Sequence, residues 1–171
     1  MKTKVLVLSC LIILTCCDKE KVNDGGIFKL NSSVEGAAPN FRIRGFSFET
    51  MRIITYPNPR NQEPDFLVMA HTDETGKVLS PFLSSFDLGK IRFAKIDEFE
   101  NYEAAFQRFN DFTLEDDYTF DIFALPVQPN QIWLIKMSTE KFGIILVKST
   151  LFYEKENNTP FAEISFQAKK L

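Results

Sequence analysis

One histidine, His71, is the only imidazole in 171 residues, so it bounds the chemistry open to this chain. As a general base it needs a nucleophile within reach. Ser80, Ser84 and Ser85 follow it, but no nucleophile-elbow motif surrounds them. A strand-end histidine bonded to a neighbour or to water accounts for it better. Haem would need axial ligands, and His71 could pair with Met69 or Met137. Met69 and His71 stand two apart in one extended run and point the same way, so they cannot straddle an iron. His71 with Met137 is the remaining pair. Zinc needs several nitrogen or sulfur ligands, which one histidine cannot supply. Asp111, Glu115, Asp116, Asp117 and Asp121 could offer oxygens to calcium, but they lack EF-hand spacing and a loop glycine. A solvated acidic face is the simpler reading. The seven glycines form neither G-x-G-x-x-G nor a Walker loop. Carboxylates are plentiful, yet no spacing singles out a glycosidase pair. No metal and no cofactor is expected.

The three cysteines, Cys10, Cys16 and Cys17, all lie in the first seventeen residues. Lys2 and Lys4 precede an apolar run, Val5 to Leu14, broken only by Ser9 and Cys10. About ten residues match a signal-peptide core and fall short of the roughly 20 that span a bilayer. A polar, charged stretch from Asp18 to Asp24 follows. The junction "LIILTCCDKE" resembles the lipobox of bacterial lipoproteins, in which an aliphatic residue stands three places before an acylated cysteine. With Cys17 acylated, Leu14 takes that place; with Cys16, Ile13 does. Leucine is the commonest residue there in the family, which favours Cys17. Cys10 would leave "LIILT" outside the signal. The resemblance implies removal of residues 1–16 and attachment to the outer membrane by two or three acyl chains. One chain alone would hold only marginally, at about 0.8 kcal/mol per buried methylene. Asp18 and Glu20 resemble the acidic start of surface-exported lipoproteins, with Lys19 and Lys21 interleaved.

Processing would remove Lys2 and Lys4, leaving 18 basic against 23 acidic residues and a net charge of −5. That balance disfavours nucleic acid and an anionic bilayer surface as electrostatic partners. Without cysteine, the folded part must hold by packing alone, although the envelope is oxidising. All 18 phenylalanines follow the signal and are the expected means.

The elements that would position these side chains are mostly strands. Residues 18–40 read as a tether, with Ile27, Phe28 and Leu30 able to form a short edge strand. A single β-rich domain over 41–171 follows. "FRIRGFSFE" alternates Phe41/Ile43 and then Phe46/Phe48, and its phase slips at Gly45, where a bulge is expected. "MRIITY" returns as a hairpin partner. "PNPRNQEP", residues 57–64, carries three prolines and reads as a surface loop. "DFLVMAH" reads as a central strand, "TDETGK" as a turn with Gly76 at positive φ, and "IRFAKI" as a strand. One helix is expected, N-capped by Asp97 with Glu100 as its box partner; Phe99, Tyr102, Ala105, Phe106 and Phe109 would share a face. "QIWLIKM", "FGIILVKSTLFYE" and "AEISFQAK" give an antiparallel meander with one wetted face. In the last strand Ala162, Ile164, Phe166 and Ala168 point in, and Glu163, Ser165, Gln167 and Lys169 out. The expected fold is mainly β: an antiparallel sandwich or partly closed barrel with one helix.

These terminal hairpins resemble those of Gram-negative envelope lipoproteins of unknown function, including haem-capturing HmuY-like ones. Ile132, Trp133, Ile135, Lys136, Lys141 and Phe142 fit the family's strand-and-turn pattern, with Glu140 in place of the usual glycine. The resemblance implies an envelope location and a β fold.

The leading expectation is a lipid-anchored, non-catalytic binding module of the outer envelope. Its partner would be another envelope protein or an extracellular ligand, met through the 57–64 loop. A carrier for haem or another apolar ligand, using His71 and Met137, is the first alternative. A small envelope hydrolase is the second.

Overall fold

The computed structural model describes residues 26–36, 39–115, 117–138 and 141–171. Cys10, Cys16, Cys17, the signal and residues 18–25 and 37–38 of the expected tether lie outside them, as do Asp116 and Glu140. The elements run β1 (Ile27–Asn31), β2 (Val34–Glu35), β3 (Arg42–Ser47), β4 (Arg52–Tyr56), β5 (Leu67–Thr72), β6 (Val78–Ser84), β7 (Arg92–Glu98), α1 (Tyr102–Asn110), β8 (Gln131–Ser138), β9 (Lys141–Glu154) and β10 (Pro160–Lys170). Five strands form one antiparallel sheet in the order β1-β10-β9-β8-β7. The β2-β3-β4 sheet and the β5-β6 hairpin make a second layer. The protein is thus mainly β with one helix, sandwich-like and not closed into a barrel.

Alternation along β8 and β9 divides the core in two. Trp133, Ile135, Ile145 and Val147 face the second layer, where Phe46, Phe48, Phe66, Val68 and Leu83 meet Ile164 and Phe166 of β10. Ile132, Leu134, Ile144 and Leu146 face the other way, onto Ala105 and Phe109 of α1 and Phe112 beyond it. The centre of the large sheet is therefore covered on both faces, and the expected wetted face is corrected. Continuous apolar runs such as Ile132–Ile135 are the mark of two-sided burial. Trp133 keeps a partner in this interior, since its indole N–H donates to Gln131 Oε1 at 3.0 Å.

Phenylalanine carries much of the packing. Phe46, Phe48, Phe66, Phe93, Phe109, Phe112, Phe161 and Phe166 are buried, whereas Phe41, Phe86, Phe106 and Phe152 are exposed. Gly143 leaves the space filled by the Phe48 ring, and a Cβ there would overlap three of its carbons.

Several local expectations change. β1 lies in the stretch read as a tether and pairs along β10 from Ile27↔Gln167 to Asn31↔Glu163. β5 is not central: among the described residues it pairs only with β6, a strand that Pro81 hides in the sequence. Gly45 is not at a bulge, because β3 pairs with β4 without a register shift. It is needed for close approach instead: a Cβ would overlap Pro64 and come within 2.7 Å of both Leu67 Cδ2 and the Phe66 carbonyl oxygen. The helix begins later than expected. Asp97 belongs to β7 and bonds Arg108 Nε at 2.9 Å, while Asn101 is the N-cap and accepts from Ala104 N at 3.0 Å. Ala105 and Phe109 are buried on the helix, but Phe106 turns out and stacks on Tyr102. In β10, Ser165 is buried rather than exposed; it lies opposite Ser149, beside the register shift that skips Lys148.

Candidate contact surface

The 57–64 loop is held by its own side chains. Asn58 Nδ2 donates to Thr55 O (3.0 Å) and Gln62 O (2.7 Å), and Asn58 Oδ1 accepts from Arg60 N and Gln62 N, both at 3.1 Å. One asparagine thus closes the loop with its full donor and acceptor set. The chain then docks on β3: Phe46 N donates to Phe66 O at 2.9 Å, and Asp65 N to Phe46 O at 2.8 Å. Asp65 Oδ2 accepts from Phe48 N at 2.6 Å.

A second segment, residues 85–91, lies against this loop. Ser85 Oγ donates to Asp87 O at 2.6 Å, and Lys90 N to Asp87 O at 3.1 Å, with Gly89 at φ 94° completing the turn. Lys90 reaches Glu63 across the gap at 3.4 Å, and the Tyr56 and Phe86 rings lie 4.6 Å apart. An exposed pair of this kind contributes only about 0–1 kcal/mol, so the hydrogen bonds within each segment set the shape. Between the segments is a cleft of about 50 Å³ lined by Glu63, Pro64, Asp65, Phe86, Asp87 and Lys90. It is far below the roughly 300–1,000 Å³ of small-molecule pockets. Phe86 and Leu88 project from the rim, 42% and 64% exposed.

The rim sits at a defined end of the sheet. Arg92, which follows the second segment, pairs with Lys136, and Lys136 with Phe142. Leu171 N donates to Phe142 O at 3.0 Å, and the β10 residues before it face the start of β1. The chain therefore enters the fold at the end that carries the rim. The β9–β10 turn lies at the opposite end.

Asp65 lies half-buried beside the cleft. Burial is the main cause that raises its pKa above 3.8, and the Glu49 carboxylate adds to it. The Phe48 amide and the charges of Lys170 and Lys90 pull the other way without cancelling it. A carboxyl raised in the folded state binds its proton more tightly there than in the unfolded chain. Its contribution to stability therefore falls as pH rises from 3.8 through the raised value. Asp65→Asn keeps an acceptor for Phe48 N and removes the charge. It is expected to raise the unfolding midpoint at pH 7, with the gain vanishing in acid below pH 3.8. Thermal melts of both proteins across pH check this; a gain that persists in acid would contradict it.

The residues singled out for chemistry are not assembled. His71 is half-buried on β5, directly across from Ser80 on β6. No hydrogen bond joins them, and Ser80 Oγ is buried without a partner. Ser84 and Ser85 donate to backbone carbonyls. Met69 lies opposite Phe82 and is exposed; Met137 packs against the phenylalanine cluster from the other layer. Among the described residues, no three His, Cys, Asp or Glu side chains converge as metal ligands would. None of the helices described is long and apolar enough to cross a membrane. The 85–91 segment was missed in the sequence, although Asp87 and Gly89 mark its turn. Nothing in the sequence shows that it meets the 57–64 loop.

No family model, curated protein or solved structure matches the chain. Its class rests on its own geometry: a mainly β, antiparallel, sandwich-like protein with one helix.

Proposed function

We propose that this is a lipid-anchored, non-catalytic binding module of the outer membrane, acylated at Cys17, whose contact surface is the rim of residues 57–66 and 85–91. The lipobox-like junction supports the anchor. The rim supports the mode of action: two loops pre-ordered by side-chain-to-backbone hydrogen bonds display exposed Phe86 and Leu88 beside Glu63, Asp87 and Lys90. Pre-ordered loops lose little entropy on docking, and exposed aromatics are the usual anchors of an interface.

The observation that carries the reading is the shared end of rim and chain entry. A module tethered through residues 18–25 presents that end toward its membrane, so the partner is an envelope protein in the same membrane. Capture from native membranes tests this. Phe86→Ala with Leu88→Ala is expected to weaken capture by roughly thirty-fold, as loss of about 2 kcal/mol would. Both side chains are exposed, so the fold should be kept. Capture that is unaffected by the double substitution would refute the rim as the contact surface.

A further inference from the structure

The β9–β10 hairpin outruns the sheet. β8 last pairs with β9 at Ile132↔Leu146, and Asn130 N donates to Val147 O at 2.8 Å. Beyond that point β9 continues to Glu154, and among the described residues no strand pairs with its outer edge. Leu151, Phe152 and Tyr153 are 51%, 41% and 45% exposed on it. A long apolar edge without proline, bulge or inward charge is a template for another strand. Here the only bulge stands at its start, beside Lys148.

The direction of its backbone groups follows from the ladder. Lys155 N donates to Thr159 O at 3.0 Å, so Lys155 faces β10. Alternation then turns Leu151 and Tyr153 toward β10, and Thr150, Phe152 and Glu154 outward. Their partners agree. Ala162, opposite Phe152, gives its carbonyl to Ser32 N at 2.8 Å, and Pro160, opposite Glu154, has no N–H to give.

We infer that this edge pairs with the same edge of a second copy of the chain, antiparallel about a two-fold axis at Phe152. The three outward residues are symmetric about Phe152, as an isologous contact requires. Thr150 meets Glu154 of the second copy, and Phe152 meets Phe152, with about six backbone hydrogen bonds. Leu151 packs beside Tyr153 of the second copy. The contact lies at the end away from the rim, and the inference stands independently of the rim's function.

Sedimentation of the full chain, with Cys10→Ser, Cys16→Ser and Cys17→Ser to prevent acyl or disulfide linkage, tests it. A concentration-dependent dimer is expected. Phe152→Pro removes the outward N–H and nothing from the β10 ladder, so it should give a folded monomer. Should that variant unfold, Phe152→Lys decides: it sets two like charges face to face across the two-fold axis, keeps the exposed position polar, and should weaken the dimer about ten-fold. A monomer at every concentration, or a dimer that survives Phe152→Pro or Phe152→Lys unweakened, would overturn the inference.

Discussion

Phe46→Ala is expected to destabilise the fold by about 3–5 kcal/mol, the range for emptying a buried phenylalanine site. The ring is fully buried and central to the aromatic cluster. Its centroid lies 4.8 Å from Phe28, 5.1 Å from Phe48, 5.2 Å from Phe166 and 5.5 Å from Phe66. Those neighbours come from β1, the β3–β4 turn, β10 and the segment before β5, so one side chain couples both layers. Four ring contacts disappear together, and the neighbours are themselves held by backbone pairing and cannot all collapse inward. Against a usual total of about 5–15 kcal/mol, the loss is a large fraction. The melting temperature should fall by on the order of 10 °C. Phe106→Ala, on the exposed face of α1, should change stability by under about 1 kcal/mol. Urea unfolding of the three proteins gives the comparison directly. Equal midpoints for Phe46→Ala and the wild type would show that the layers are not joined through this ring.

Gly45→Ala is the second large effect, and it reaches the rim as well as the core. Only one methyl is added, but its neighbours are the Pro64 ring, Leu67 and a backbone carbonyl. The Leu67 methyl could turn aside, but the Pro64 ring and the Phe66 carbonyl cannot, so the 64–67 segment must move off β3. Overpacking of this kind costs about 1–3 kcal/mol. The movement would strain the Phe46–Phe66 backbone bond and the Asp65–Phe48 bond, which fix the loop that forms one side of the cleft. The expected result is lower stability together with faster amide exchange at Phe46 and Phe48. Partner capture should also weaken, although residue 45 is itself buried. Wild-type exchange at those two amides would contradict the close approach described for Gly45.

The sequence made the strands of the C-terminal half legible because their signals are local. Asn158 at φ 57° supplies the left-handed turn expected of Asn157 or Asn158, and Gly76 at φ 89° does the same after β5. The errors arise where a residue answers to distant parts of the chain. Gly45 looks like a phase slip until Pro64 and Phe66 are placed beside it. Asp97 has the spacing of an N-cap but is claimed by the β7 ladder and Arg108. The run at 65–71 is apolar because it packs across layers, not because strands flank it. Burial of both faces of β8 and β9 was visible in their unbroken apolar runs, but α1 had to be docked before its meaning was clear. The candidate rim was half legible. Prolines announce the 57–64 loop, whereas its neighbour at 85–91 is brought to it only by tertiary pairing. Cys17 and Cys16 are legible in the sequence alone, since both lie outside the described residues.

The lipid anchor is the claim on which the proposed orientation of the rim depends. Mass spectrometry of the protein taken from its native host tests it most directly. The expected product begins at Cys17, lacks residues 1–16 and carries fatty acyl chains on that residue. An unmodified polypeptide released into the medium would contradict it.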